Sequence, residues 1–208
     1  MNLGEMHSLV SEAIGRSTAY DTQIPGYVRR AARFLERNYT FQYMNIYSTF
    51  PLDADAAEPR LITLPSALKK DRLIRIVKSD GEYQDLRKGD PSDVKALLTE
   101  IPSIYWLSGD DKIWLGQTPA EDYSCEIYWT KYTTWPTDLG QTTWLLTNAE
   151  DVLLAQTMVM MSPHLKDPDV LQLWSGNLTT CLKSLIDADS DLEFSNKPAV
   201  MNYGTTDP

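Results

Sequence analysis

The hydrophobic period changes twice along this chain, and that change restricts the fold more than any single motif. Leu3, Met6, Val10 and Ile14 recur at spacings of three and four, and Val28, Ala31 or Ala32, Leu35 and Tyr39 repeat the pattern, which predicts two amphipathic helices over residues 1–39. GRSTAYDTQIPG parts them, with Pro25 suited to the first turn of the second helix. From residue 40 to 133 the period falls toward two. The runs FQYMNIYSTF, LITLP, RLIRIVK, IYWLS, KIWLG and SCEIYWTKY are rich in β-branched and aromatic residues, and SDGE and SGDDK read as turns. An antiparallel β region with hairpins is predicted, with a short helix in DPSDVKALLTEIP capped by Ser92 or Asp93 and closed by Pro102.

Helical spacing returns after residue 134. Thr147 and Glu150 have capping-box spacing, so a helix is predicted to start near Asn148. Its body, DVLLAQTMVMM, is apolar around most of its circumference and must be walled in on several sides. After Ser162–Pro163 the chain restarts at Asp167–Pro168–Asp169, and Leu171, Trp174, Leu178, Cys181 or Leu182, and Leu185 mark a final helix with one wet face. Past Ile186 the periodicity stops, and residues 187–208 read as an extended tail with isolated apolar points at Phe194, Val200, Met201 and Tyr203. The predicted fold class is α+β. A helical bundle comes from both ends (1–39 and 134–186), with residues 40–133 inserted as the antiparallel β region and the tail following.

Composition narrows the function. With 42% hydrophobic and 23% charged residues the chain folds, and a net charge of −10 argues against phosphate neutralisation, so no sequence-specific nucleic-acid binding is expected. The longest apolar stretch, near Val152–Met161, is far short of the roughly 20 residues that cross a bilayer, and MNLGEMHSLV lacks the layout of an export signal, so neither membrane nor export is expected. Cys125 and Cys181 lie in unlike contexts and read as buried small residues, not as a disulfide or zinc pair.

Signals for chemistry are sparse. His7 lies beside the apolar face of the first helix and His164 in a Pro-containing turn, and no phosphate loop, HExxH or nucleophile elbow is present. Asp187, Asp189 and Asp191 imitate positions 1, 3 and 5 of a calcium loop. Leu192 and Pro198 occupy the positions that need glycine and a bidentate carboxylate, so the motif reads as an acidic helix end. Asp110, Asp111, Glu121 and Asp122 cluster near aromatics, as glycosidase carboxylates would, but turn solvation accounts for them. The sequons at Asn38 and Asn177 mean little without a secretory signal. No catalytic residue, cofactor or metal is predicted. Tyr105, Trp106, Trp114, Tyr128, Trp129, Tyr132 and Trp135 suggest a stacking platform, although alternation sends adjacent aromatics to opposite faces and about half of them into core or interface.

Taken in order, RRAARFLERNY, Leu64–Pro65 after a strand, PSIYWLSGDDKIWLGQTPAEDYSCEIYWTKY, TNAEDVLLAQTMVMM and a final helix with Trp174 resemble the head–tail adaptor proteins of short-tailed bacteriophages. Pro102 and Tyr105 match that family's Pro-x-x-Tyr before a strand, Thr147–Asn148 its Thr-Asn helix opening, and Tyr128–Trp129 stands where it has Tyr-Tyr. The resemblance covers residues 3–186 and leaves the extreme tail unmatched.

It implies a non-enzymatic structural protein of the virion neck, assembled in the host cytoplasm. Such a protein forms a ring below the portal, twelve copies to match the portal's symmetry, joins it to the tail nozzle or other tail proteins, and lines the DNA channel. The apolar residues flanking the helix start near Thr147 then read as interface, and the acidic surface as one that lets a duplex slide. Phe194, Val200, Met201 and Tyr203 become candidate contacts to the portal or a neighbouring subunit. A tail-nozzle or neck-completion role is an alternative within the class, and a carbohydrate-binding module using Trp106, Trp114 and Trp129 one outside it.

Overall fold

The computed structural model describes residues 1–15, 20–65, 68–93, 101–109 and 111–195, with residues 192–195 by backbone alone. The chain divides into two compact units, Met1–Gln42 with Thr134–Pro208, and Tyr43–Thr133.

The first unit is a helical bundle. Helix α1 (Leu3–Ile14) opens on a capping box absent from the predicted signals: the Glu5 N–H donates to Asn2 Oδ1 at 2.9 Å and the Asn2 N–H to Glu5 Oε2 at 2.8 Å. It closes at Gly15, whose φ of 64° suits a residue without a Cβ. The start of α1 is tied to the segment before the later helices, because Leu3 and Gly4 donate to the carbonyls of Gln141 and Leu139. Helix α2 (Ile24–Asn38) carries Pro25 in its first turn and buries Val28, Ala31, Ala32 and Leu35.

The predicted capping box at Thr147 does not form. Thr147 lies inside a short helix, α3 (Trp144–Asn148), and its hydroxyl donates to the Thr143 carbonyl at 3.1 Å. Thr143 is the N-cap instead, and α4 (Glu150–Leu165) starts behind Ala149 with no side-chain cap, favoured there by Glu150 and Asp151 in its first turn. Leu145 and Leu146 give the reason. They are adjacent and both buried, and a helical turn places both in the core where an extended approach would send one outward.

Among the described residues every other α-helix packs against α4, so its apolar circumference is enclosed by its own bundle. Leu145, Leu146, Val152, Leu153, Met158 and Met161 are buried there. The residues flanking the junction, expected as interface, are core. Near its end α4 contains Pro163, which has no N–H for the Val159 carbonyl, and Ser162 Oγ donates to that oxygen at 2.7 Å.

Helix α5 (Pro168–Ser195) starts at Asp167, whose carboxylate accepts the N–H groups of Asp169 and Val170. It runs past the expected stop at Ile186, so residues 187–195 are helical and not extended. Asp189 accepts the Gln42 N–H at 3.0 Å, a tie back to the bundle that local periodicity cannot reveal.

Among its described residues the second unit holds two four-stranded sheets around one core. Strands β1 (Asn45–Leu52), β8 (Tyr123–Lys131), β3 (Leu68–Val77) and β4 (Tyr83–Asp85) form one, in that order, all antiparallel. The other runs β2 (Leu61–Thr63), β7 (Lys112–Leu115), β6 (Ile104–Ser108) and β5 (Arg87–Lys88). Its β5–β6 pair is parallel, a departure from the all-antiparallel expectation made possible by the long connection 89–103. SDGE forms the β3–β4 turn with Gly81 at φ 84°. Ile74, Ile76, Ile113, Leu115, Ile127 and Trp129, drawn from both sheets, are buried together. Of the helix expected after Asp90, residues Pro91–Asp93 form a 3-10 turn and 94–100 lie outside the described residues.

Candidate functional site

The residues first considered for chemistry are dispersed into structural roles. His7, on α1, is half-buried, and burial lowers its pKa. His164 is exposed at the end of α4, edge-to-face with Tyr27 at 5.6 Å. Asp189 caps Gln42, Asp122 accepts the Ala54 N–H at 3.0 Å, and Asp110 lies outside the described residues. Among the described residues no group of His, Cys, Asp or Glu is placed to hold a metal ion, and no helix is long and apolar enough to cross a membrane. Cys125 is buried, which pushes its thiol up to about 12, whereas Cys181 is only half-buried, contrary to expectation.

The tryptophan platform also comes apart. Trp129 is fully buried, 6.2 Å from Phe50, and its indole N–H has no partner among the described residues. Trp106 and Trp114 are directly opposed on β6 and β7 and stack on each other at 6.3 Å, with the Arg60 guanidinium 5.6 Å from the Trp106 ring. One of the three rings is core while the other two are half-buried, so the three do not share one sugar-stacking surface.

A polar tie joins the two sheets. The Tyr105 hydroxyl on β6 donates to one oxygen of Asp71 on β3, and Lys88 on β5 reaches the other at 2.9 Å. Burial acts to raise the Asp71 carboxyl, but these two partners outweigh it and hold it below the usual carboxylate range. Burial and the neighbouring carboxylate drive the Tyr105 phenol upward. Tyr105→Phe should therefore lose about 1.5–3 kcal/mol of stability, measured by denaturant titration. The Asp71 contribution has a definite sign. A depressed folded-state pKa stabilises above the unfolded value and is lost as pH falls through the folded one. The gap between wild type and Asp71→Asn should thus hold near neutrality and narrow below about pH 4.

Three of the surfaces that are open among the described residues bear on partner binding. On the outer face of β1-β8-β3-β4, Tyr47, Tyr83 and Tyr128 are 47%, 58% and 40% exposed. Tyr47 and Tyr128 sit 4.6 Å apart, and Arg75 holds Glu126 at 2.5 Å while lying 4.2 Å from the Tyr83 ring centroid. Glu126 is lowered by the Tyr47 hydroxyl and by Arg75, so the face presents aromatics around an ion pair.

The second surface is α5 itself. Among its described side chains none is buried, and Leu173 is 60% exposed. The third is a groove of about 550 Å³ in the helical unit, walled by Phe34 and Tyr39 from one side and Leu178, Leu182 and Ile186 from the other, with Val159 and Gln156 beneath. Of the residues expected to contact partners, Phe194 falls within α5, with its side chain outside the description, and Val200, Met201 and Tyr203 lie outside the described residues. The groove was missed although Phe34 is a signal: it is a large apolar residue off the Val28–Ala31–Leu35 stripe.

A family model described as SU10 adaptor protein matches residues 1–201. No curated protein matches the chain.

Proposed function

The chain belongs to the SU10 adaptor protein family, and from that premise we propose that it is a non-enzymatic structural protein of a bacteriophage virion, a head–tail adaptor. It forms a ring below the portal, twelve copies against the portal's symmetry, links portal to tail proteins at the virion neck, and borders the DNA channel. Assembly takes place in the host cytoplasm. The observation that carries this reading is the family match over 1–201, which runs through α5 and into the segment holding Val200 and Met201.

The open surfaces support it. A head-to-tail ring needs two different patches on each copy, one for each neighbour. The tyrosine face belongs to the β unit, and the half-covered α5 to the helical unit. A net charge of −10 suits a wall past which DNA slides without being gripped. Phe194, Val200, Met201 and Tyr203 serve as attachment points to the portal or the adjacent copy.

Truncation tests the attachment. The cut belongs after Ser195, since cutting after Ile186 would also remove the Asp189–Gln42 bond. The shortened chain should melt nearly as the full chain does and be lost from portal pull-downs. Undiminished portal capture by the truncated chain would count against the attachment role of Val200, Met201 and Tyr203.

A further inference from the structure

We propose that the groove between α2 and α5 receives the C-terminal segment 196–208 of a second copy, with Met201 and Tyr203 as the inserted side chains; this rests on the adaptor reading above and names the tail's receiving surface. The groove's about 550 Å³ is within the range of sites that take a ligand of modest size, and its lining is mainly Phe34, Tyr39, Val159, Leu178, Leu182 and Ile186. Phe34 and Ile186 remain 43% and 37% exposed, while Ala31, Ala32 and Leu35 beside them on α2 are buried. Thr179 and Lys183 give the groove a polar rim.

The chain supplies a matching occupant. Residues 196–208, NKPAVMNYGTTDP, are polar apart from Ala199, Val200, Met201 and Tyr203, and too poor in apolar residues to form a core of their own. In an extended segment Met201 and Tyr203 share one side, so both enter one groove while Val200 faces away.

Direction favours a neighbour over the same chain. Helix α5 carries Ser195 nine residues beyond Ile186, about 13.5 Å at the helical rise, and Asp189 holds that stretch against Gln42. A return to its own groove needs a reversal at once after Ser195. Pro198 fixes its own φ there and biases Lys197 toward extended backbone. One tail and one groove per copy, joined in sequence, make a heterologous contact, the type that yields a ring when its rotation closes.

The experiment titrates a fluorophore-labelled peptide of sequence NKPAVMNYGTTDP with the full-length protein and follows anisotropy. Saturable binding is expected, competed by unlabelled peptide. It should weaken roughly tenfold or more when an anchor pocket is spoiled by Leu182→Asp or, at the more exposed position, Ile186→Asp, and likewise with Met201→Asp in the peptide. Circular dichroism confirms that the variants used are folded. Absence of binding, or binding indifferent to both groove substitutions, overturns the proposal. Binding that appears only after the protein is cut behind Ser195, at a concentration where sedimentation shows the full chain to be monomeric, places the chain's own tail in the groove and overturns the second-copy assignment. If the peptide fails while the full chain still forms rings on portal, the groove inference falls and the adaptor function stands; if no ring forms, the function itself falls.

Discussion

Replacing Trp129 by alanine should lower the stability of the β unit by about 3–5 kcal/mol, the range for emptying a buried aromatic site. Trp129 is 0% exposed at the centre of a cluster fed by both sheets, so little of the cavity can be filled by movement of neighbours held in two layers. Trp129→Phe should cost markedly less. It keeps most of the packing and removes an indole N–H that has no acceptor among the described residues, a group whose burial is itself unfavourable. Urea titration followed by far-UV circular dichroism measures both. A sugar-binding role for this ring predicts the reverse, unchanged stability with loss of ligand binding.

Leu153→Ala should cost about 2–5 kcal/mol in the helical unit. Leu153 is buried on α4, which α1, α2, α3 and α5 enclose. The effect must appear in the isolated subunit, before any partner is added. Were this apolar helix an interface awaiting its neighbours, the substitution would leave the free subunit's unfolding unchanged and weaken only assembly. Denaturant titration of dilute protein separates the two outcomes.

The α+β class was legible because each region obeys one period strongly. Val28, Ala31 and Leu35 mark one helix face, and Tyr123, Cys125, Ile127 and Trp129 alternate inward along β8, so local pattern and tertiary burial agree. Where burial demanded something else, the local signal lost. Thr147 and Glu150 have the spacing of a cap, but burying both Leu145 and Leu146 required a separate short helix capped by Thr143. Likewise the apolar repeat of α5 ends near Ile186, while Asp189 continues the helix by bonding a residue far away in the chain.

The candidate site was less legible for the same reason. Periodicity tells which side chains are apolar and on which face, but not which faces a neighbour leaves uncovered. Tyr47 and Tyr128 are open and Tyr105 and Trp129 closed, although all four sit in similar aromatic, β-rich runs. The groove depends on how α2 and α5 are set upon α4, a tertiary relation with no sequence motif. Of the three rings named for a carbohydrate surface, Trp129 is turned inward by its strand position.

Electron microscopy of the full-length protein mixed with its own portal is the most direct measurement of the central claim. The adaptor account predicts a ring coaxial with the portal, about twelve copies matching its rotational symmetry, with the C-terminal segment of each copy resolved against a neighbouring protein. Portals that remain bare in excess protein, or a closed two-fold dimer that leaves no surface for a ring, would contradict it.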